Sequence, residues 1–128
     1  MEFTKDAYAD LRRELGEYDG REQGGALLGG LIDGRFVIRA VGGTPLGTER
    51  SETHVRLSRA HMEVFAARFS HRPGFRLIGD FHVHPRGGSP EPSETDLAGW
   101  RSQSRDEYLG LIVTPGPEPT EVSMPRTP

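Results

Sequence analysis

Two histidines separated by one residue, His82-Val83-His84, followed at once by Pro85, are the residues of this 128-residue chain best placed to do chemistry. They close the strongest strand-like stretch, Phe75 to Val83, and in a strand residues two apart share a face, about 6.6 Å apart along the chain. Two imidazoles so arranged can converge on one ion. A catalytic zinc takes three protein ligands at about 2 Å and keeps a position for water, so one more ligand is required. Asp96 reads as part of the first turn of a helix that follows a loop containing Gly87, Gly88, Pro90 and Pro92, and it can return a carboxylate to the strand end. His82, His84 and Asp96 form a nitrogen and oxygen set that suits zinc over copper or iron, with manganese and nickel also compatible. A metal lowers the pKa of its water to about 7, and a hydrolase further needs a base to take that proton and pass it to the leaving group. Glu22 is the candidate base. It lies just before Gly24-Gly25-Ala26-Leu27-Leu28-Gly29, where glycines let the backbone approach a neighbour closely. Ser93 can donate a hydrogen bond to the oxyanion of a tetrahedral intermediate.

The elements that must position these residues are legible from periodicity. Phe3, Ala7, Leu11 and Leu15 recur every four residues, with Tyr8 and Tyr18 adjoining, and predict an amphipathic helix over 4–18 that packs on a sheet. Gly25 to Ile32 and Arg35 to Val41 flank Asp33-Gly34, a dipeptide that favours the positive φ angles of a two-residue hairpin turn. Thr53 to Leu57 alternates weakly as a third strand, and Ser58 can cap a helix carrying Met62, Phe65, Ala66 and Phe69 on one side. Ser93-Glu94-Thr95-Asp96 has the form of a capping box opening a short helix through Leu97 and Trp100. Tyr108 to Thr114 is the last clear strand. From Pro115 onward the chain is proline-rich and polar, so residues 116–128 read as a loosely held tail with a short edge strand around Val122, after a domain over 1–115. The order of elements predicts an α/β (α+β) single domain with a mixed β-sheet flanked by helices.

Composition excludes several other classes. There are no cysteines, which removes disulfide scaffolds, Cys-ligated zinc, iron-sulfur clusters and a cysteine nucleophile. The net charge of -3 gives no basic excess to hold nucleic acid. Glycine (17) and proline (10) are plentiful, which fits short strands joined by tight turns. No basic run followed by an apolar one opens the chain, and the longest apolar stretch, Gly24 to Ile32, is far too short to span a bilayer, so a cytoplasmic protein without membrane contact is expected. Fifteen of the sixteen basic residues are arginine, which suggests a GC-rich bacterial genome. His54, His61 and His71 have no partners at ligand spacing and read as ordinary surface or helix residues.

His82-Val83-His84-Pro85, seven residues, Ser93, two residues and Asp96 resemble the H-x-H-P-x7-S-x2-D signature of the JAMM zinc metalloproteases, the catalytic branch of the JAB/MPN domain family. Glu22 to Gly29 is similar to that family's E-x-x-G-x-L-x-G segment. Five functional positions match in two separated blocks. The resemblance implies the JAB/MPN, cytidine-deaminase-like fold, one zinc ion on His82, His84 and Asp96, a water held and deprotonated by Glu22, and an intermediate steadied by Ser93. It departs from the pattern at Val83, where Ser or Thr is common, and at Gly24, where many relatives carry cysteine; Val83 should face away from the metal. The chain is too short for the insertions with which eukaryotic ubiquitin-cleaving members grip two ubiquitins. That points to the compact prokaryotic members, which cleave peptide or isopeptide adducts from the C-terminus of ubiquitin-like or sulfur-carrier proteins, with the enzyme a monomer or homodimer. Two alternatives stand beside this reading, a non-catalytic MPN-like interaction module and a repair accessory factor resembling the RadC branch. Asp80-Phe81-His82-Val83-His84 also reads D-x-H-x-H as in amidohydrolases, but that barrel needs about twice this length. Asp80 shares a face with His82 and is a candidate to orient its imidazole from behind.

Overall fold

The computed structural model describes residues 1–51, 55–84, 94–101, 108–114 and 120–123. In chain order these form β1 (Glu2–Phe3), α1 (Lys5–Gly16), β2 (Gln23–Ile32), β3 (Arg35–Val41), β4 (Glu49–Arg50), β5 (Val55–Arg56), α2 (Arg59–Ala67), β6 (Arg76–Val83), α3 (Glu94–Arg101), β7 (Leu109–Thr114) and β8 (Thr120–Ser123). Six strands make one mixed sheet in the order β1-β3-β2-β6-β7-β8, and β4 pairs with β5 in a separate ribbon. The β1/β3 and β6/β7 pairs are parallel and the others antiparallel.

Local chemistry explains the elements. Thr4 caps α1 by accepting the Ala7 amide at 3.2 Å, and Ala7, Leu11 and Leu15 are the face that α1 buries. The Asp33-Gly34 turn takes φ of 50° and 80°, the left-handed pair expected of a two-residue hairpin. Ser58 caps α2 by accepting the His61 amide, and Met62 is buried beneath it. Phe69 lies beyond the end of α2 rather than on it; it stacks on Phe75 with ring centroids 5.2 Å apart, so the apolar periodicity continued past the last helical turn into the following bend. The strand expected over Thr53 to Leu57 is described only at Val55–Arg56, and it joins the small ribbon rather than the main sheet. The edge strand expected around Val122 is β8, which pairs with β7.

The sheet packs apolar side chains on both faces. On one lie Ala7, Leu11 and Leu15 of α1 with Leu27, Phe36, Ile38, Phe81, Val83, Leu111 and Val113. On the other lie Met62, Ala26, Leu28, Ala40 and Leu77, and further along Trp100, Tyr108 and Ile112. Strict alternation along β6 would give Leu77 and Phe81 the same face, yet they sit on opposite ones. The β2/β6 register explains this: Leu27 pairs with Gly79 and Leu28 with Leu77, leaving Ile78 as an extra residue. A surplus residue shifts the side-chain phase of the strand. Beyond this bulge Phe81 and Val83 enter the α1 core, and the even-numbered Asp80, His82 and His84 take the opposite face. No helix among the described residues is long and apolar enough to cross a membrane.

Candidate metal centre

The C-terminal end of β6 carries the two histidines. Val83 between them is fully buried in the α1 core, facing away from them as its position predicts. Past the end of β6, the His84 amide donates to the Val113 carbonyl at 2.9 Å, which continues the pairing with β7 and holds the His84 backbone. Asp96 projects from the first turn of α3, where Glu94 and Asp96 place negative charge at the positive end of the helix dipole.

Asp96 stands between the two imidazoles. Its Oδ1 lies 2.7 Å from His82 Nδ1 and its Oδ2 lies 2.9 Å from His84 Nε2. Glu22 arrives from the residue preceding β2, which is antiparallel to β6, with Gln23 opposite Val83. Ligand atoms of Glu22, His84 and Asp96 all lie within 4.8 Å of one another, and all three residues are buried. The structure therefore brings Glu22, His84 and Asp96 into one group and attaches His82 to it through Asp96. Ser93 lies outside the described residues. His61 and His71 are exposed, as expected of ordinary surface residues.

Close backbone approach makes this assembly possible. A Cβ on Gly24 would stand 2.2 Å from the Phe81 carbonyl oxygen, and one on Gly25 would stand 2.2 Å from the Gly42 carbonyl oxygen. Both positions exclude any side chain: Gly24 lets β2 lie against β6, and Gly25 lets it lie against the segment that follows β3.

Buried carboxylates and imidazoles together are costly unless they neutralise one another or hold a cation. The donor set, two imidazole nitrogens and two carboxylates, fits a borderline divalent ion such as zinc. Without a metal, a proton fills the same electrostatic role. Burial disfavours charge on His82, but the hydrogen bonds and negative charges of Asp80 and Asp96 outweigh it and push the imidazolium up to about 10 from an ordinary 6.5. A pKa raised on folding stabilises the metal-free fold fully below pH 6.5, and that contribution is lost as pH rises towards 10. A cation must displace this proton. We expect metal uptake near neutral pH to release a proton and the apparent affinity to rise about tenfold per pH unit, as checked by calorimetry in buffers of differing ionisation enthalpy.

The sequence model for prokaryotic homologues of the JAB domain matches residues 4–126, nearly the whole chain. The chain belongs to this JAB-domain family. No curated protein resembles it closely enough to count as a match. The JAB domain is also similar in fold to two solved bacterial proteins. One, from Desulfitobacterium hafniense, is 21% identical with a TM-score of 0.64, over 95% of this chain and 81% of that one. The other, from Salinibacter ruber, is 23% identical with a TM-score of 0.59, over 94% of this chain and 80% of that one.

Behind the candidate ligands the JAB domain holds a second polar node that sequence reading found only in part. Asp80 is 3% exposed and lies 3.2 Å from His82 Nε2, the nitrogen turned away from Asp96. Trp100 Nε1 donates to Asp80 Oδ1 at 2.8 Å and the Tyr108 hydroxyl donates to Oδ2 at 2.6 Å. Three donors satisfy the buried carboxylate, which in turn fixes the orientation of the His82 ring. Trp100 follows Asp96 by four residues, so both project from one side of α3, and its ring lies 5.7 Å from that of His82. The available signal was an aspartate inside an apolar strand, which requires donors, and the chain's single tryptophan on the same helical face as Asp96.

Gly110 of β7 makes room for that tryptophan. A Cβ there would stand 2.4 Å from two atoms of the Trp100 ring. Gly110→Ala is expected to push the indole off Asp80, with a loss of about 1–3 kcal/mol from overpacking and about a tenfold fall in zinc affinity from the freed His82 ring. Urea unfolding and chelator competition measure the two effects, and the emission of the single tryptophan reports the displacement.

Proposed function

We propose that this JAB domain is a zinc-dependent metallohydrolase that cleaves a peptide or isopeptide bond at the C-terminus of a ubiquitin-like or sulfur-carrier protein. The observation that carries the reading is the buried group of Glu22, His84 and Asp96 with His82 bonded to Asp96. The family includes hydrolases as well as non-catalytic members, and an interaction module has no need for four buried ionisable groups at one strand end.

In this reading His82, His84 and Asp96 hold the zinc. Bound there, the ion would lower the pKa of a water to about 7 and polarise the scissile carbonyl. The Glu22 carboxylate accepts the water's proton and delivers it to the departing amine, a role that requires it to be beside the metal ligands yet free to move a proton. Ser93 donates to the developing oxyanion. Asp80 keeps His82 oriented through Nε2, so that Nδ1 faces the interior of the site. An extended carrier tail, ending in Gly-Gly, lies along an exposed strand edge by main-chain pairing. The site works in the cytoplasm and needs neither nucleic acid nor a membrane.

The test is intact-mass analysis of small β-grasp carrier proteins bearing C-terminal cysteine, peptide or isopeptide adducts, incubated with the protein with and without a zinc chelator. Loss of the adduct after the terminal glycine, abolished by the chelator, supports the proposal. Retention of every adduct by zinc-loaded protein counts against it and favours the interaction module.

A further inference from the structure

Glu22 is buried, but the chain leading to it is not: Glu17, Asp19, Gly20 and Arg21 are exposed, and Gly20 adopts φ of 94°. Glu22 also precedes the first residue of β2, so the ladder between β2 and β6 does not fix its peptide groups. Its backbone is held instead by Arg50 of β4 and by Ser51, the residue after it. The Glu22 amide donates to the Ser51 carbonyl at 2.7 Å, and the Glu22 carbonyl accepts from Arg50 Nε at 2.9 Å. Arg50 Nη2 continues along the same loop, donating to the Arg21 carbonyl at 3.3 Å and to Asp19 Oδ1 at 2.9 Å. Asp19 is in turn held by the Arg21 side chain at 2.7 Å and the Arg21 amide at 3.1 Å. The Arg50 side chain is 17% exposed, unusually covered for an arginine on a two-residue strand.

We propose that Arg50 is a positioning residue for the Glu22 carboxylate, its guanidinium bracing the 19–22 loop from β4 so that Glu22 stays beside His84 and Asp96. The inference rests on the reading of Glu22 as the base. A guanidinium suits the task because it presents several donors in a rigid plane, here engaging two carbonyls and a carboxylate; the single ammonium of lysine cannot span them. A general base misplaced by about 1 Å can cost about 100-fold in rate. None of these contacts involves His82, His84 or Asp96, so bracing and metal binding are separable.

The experiment compares the zinc-loaded parent with Arg50→Ala and Arg50→Lys, using a carrier adduct as substrate. Arg50→Ala is expected to lower kcat about 10- to 100-fold, with KM and zinc affinity each changed by no more than about twofold. Arg50→Lys falls in between, and it gives the same direction where the alanine variant fails to fold. Millimolar guanidinium ion restores part of the kcat of Arg50→Ala, which a merely structural defect would not permit. Crystals of the variant show the Glu22 carboxylate displaced while His84 and Asp96 stay in place. Unchanged kcat, a fall in kcat matched by loss of zinc, or an undisplaced Glu22 would each overturn the proposal. A parent that cuts no carrier refutes the hydrolase reading alone, and the crystallographic arm then decides whether Arg50 positions Glu22.

Discussion

Replacing Glu22 with glutamine is expected to leave zinc affinity within about threefold of the parent while lowering turnover of a carrier adduct about 10²- to 10⁴-fold, the contribution of a positioned general base. The substitution preserves the size of the side chain and its ability to hydrogen-bond, so the backbone contacts to Ser51 and Arg50 survive. It removes the negative charge and with it the capacity to accept a proton. Because His82, His84 and Asp96 remain, metal content measured by atomic absorption should stay at one ion per chain, and intact-mass kinetics should show the loss in kcat rather than in KM. Loss of zinc together with activity would make Glu22 a metal ligand, and full activity would remove it from the mechanism.

Asp96→Ala is expected to have the largest effect on metal binding, with zinc affinity falling by at least about 100-fold, since a ligand itself is lost where even its supporting partners are worth 10- to 100-fold. Asp96 is bonded to both imidazoles, at 2.7 and 2.9 Å. The metal-free fold should weaken by about 3 kcal/mol, the lower end for breaking a buried charged pair, because His82 keeps Asp80 as a partner. Chelator competition gives the first number and urea unfolding of the metal-free protein gives the second. The destabilisation should fade as pH rises towards 10, where the His82 imidazolium loses its proton in the parent as well.

The candidate residues were marked in the sequence by local signals. His82 and His84 are spaced by the period of a strand, Asp96 sits in a helical turn, and Asp33-Gly34 carries its own turn preference. What escaped depends on contacts that no short window contains. Trp100 and Tyr108 meet Asp80 across 20 and 28 residues of sequence. Arg50 reaches Glu22 across 28 residues, from a polar segment with no periodicity to mark it. The weak alternation over Thr53 to Leu57 could not reveal that its described part would pair with Glu49–Arg50 instead of entering the sheet. Phe69 misled for a physical reason of its own, since stacking on Phe75 half-buries it beyond the last helical turn.

Keeping Ile78 out of the ladder with β2 sets which side of the sheet carries the polar groups of β6. Changing one candidate ligand removes one contact and leaves the others aimed as before. Drawing Ile78 into the ladder would do something different in kind, turning Asp80, His82 and His84 together towards α1 and sending Phe81 and Val83 to the opposite face, whereas deleting Ile78 would leave Leu77 and Gly79 on alternate faces and the polar groups aimed as before. For a lineage built on this fold, β6 can therefore shed its surplus residue without turning the site, because the register with β2, and not the count of residues from the start of the strand, fixes the aim of the polar groups.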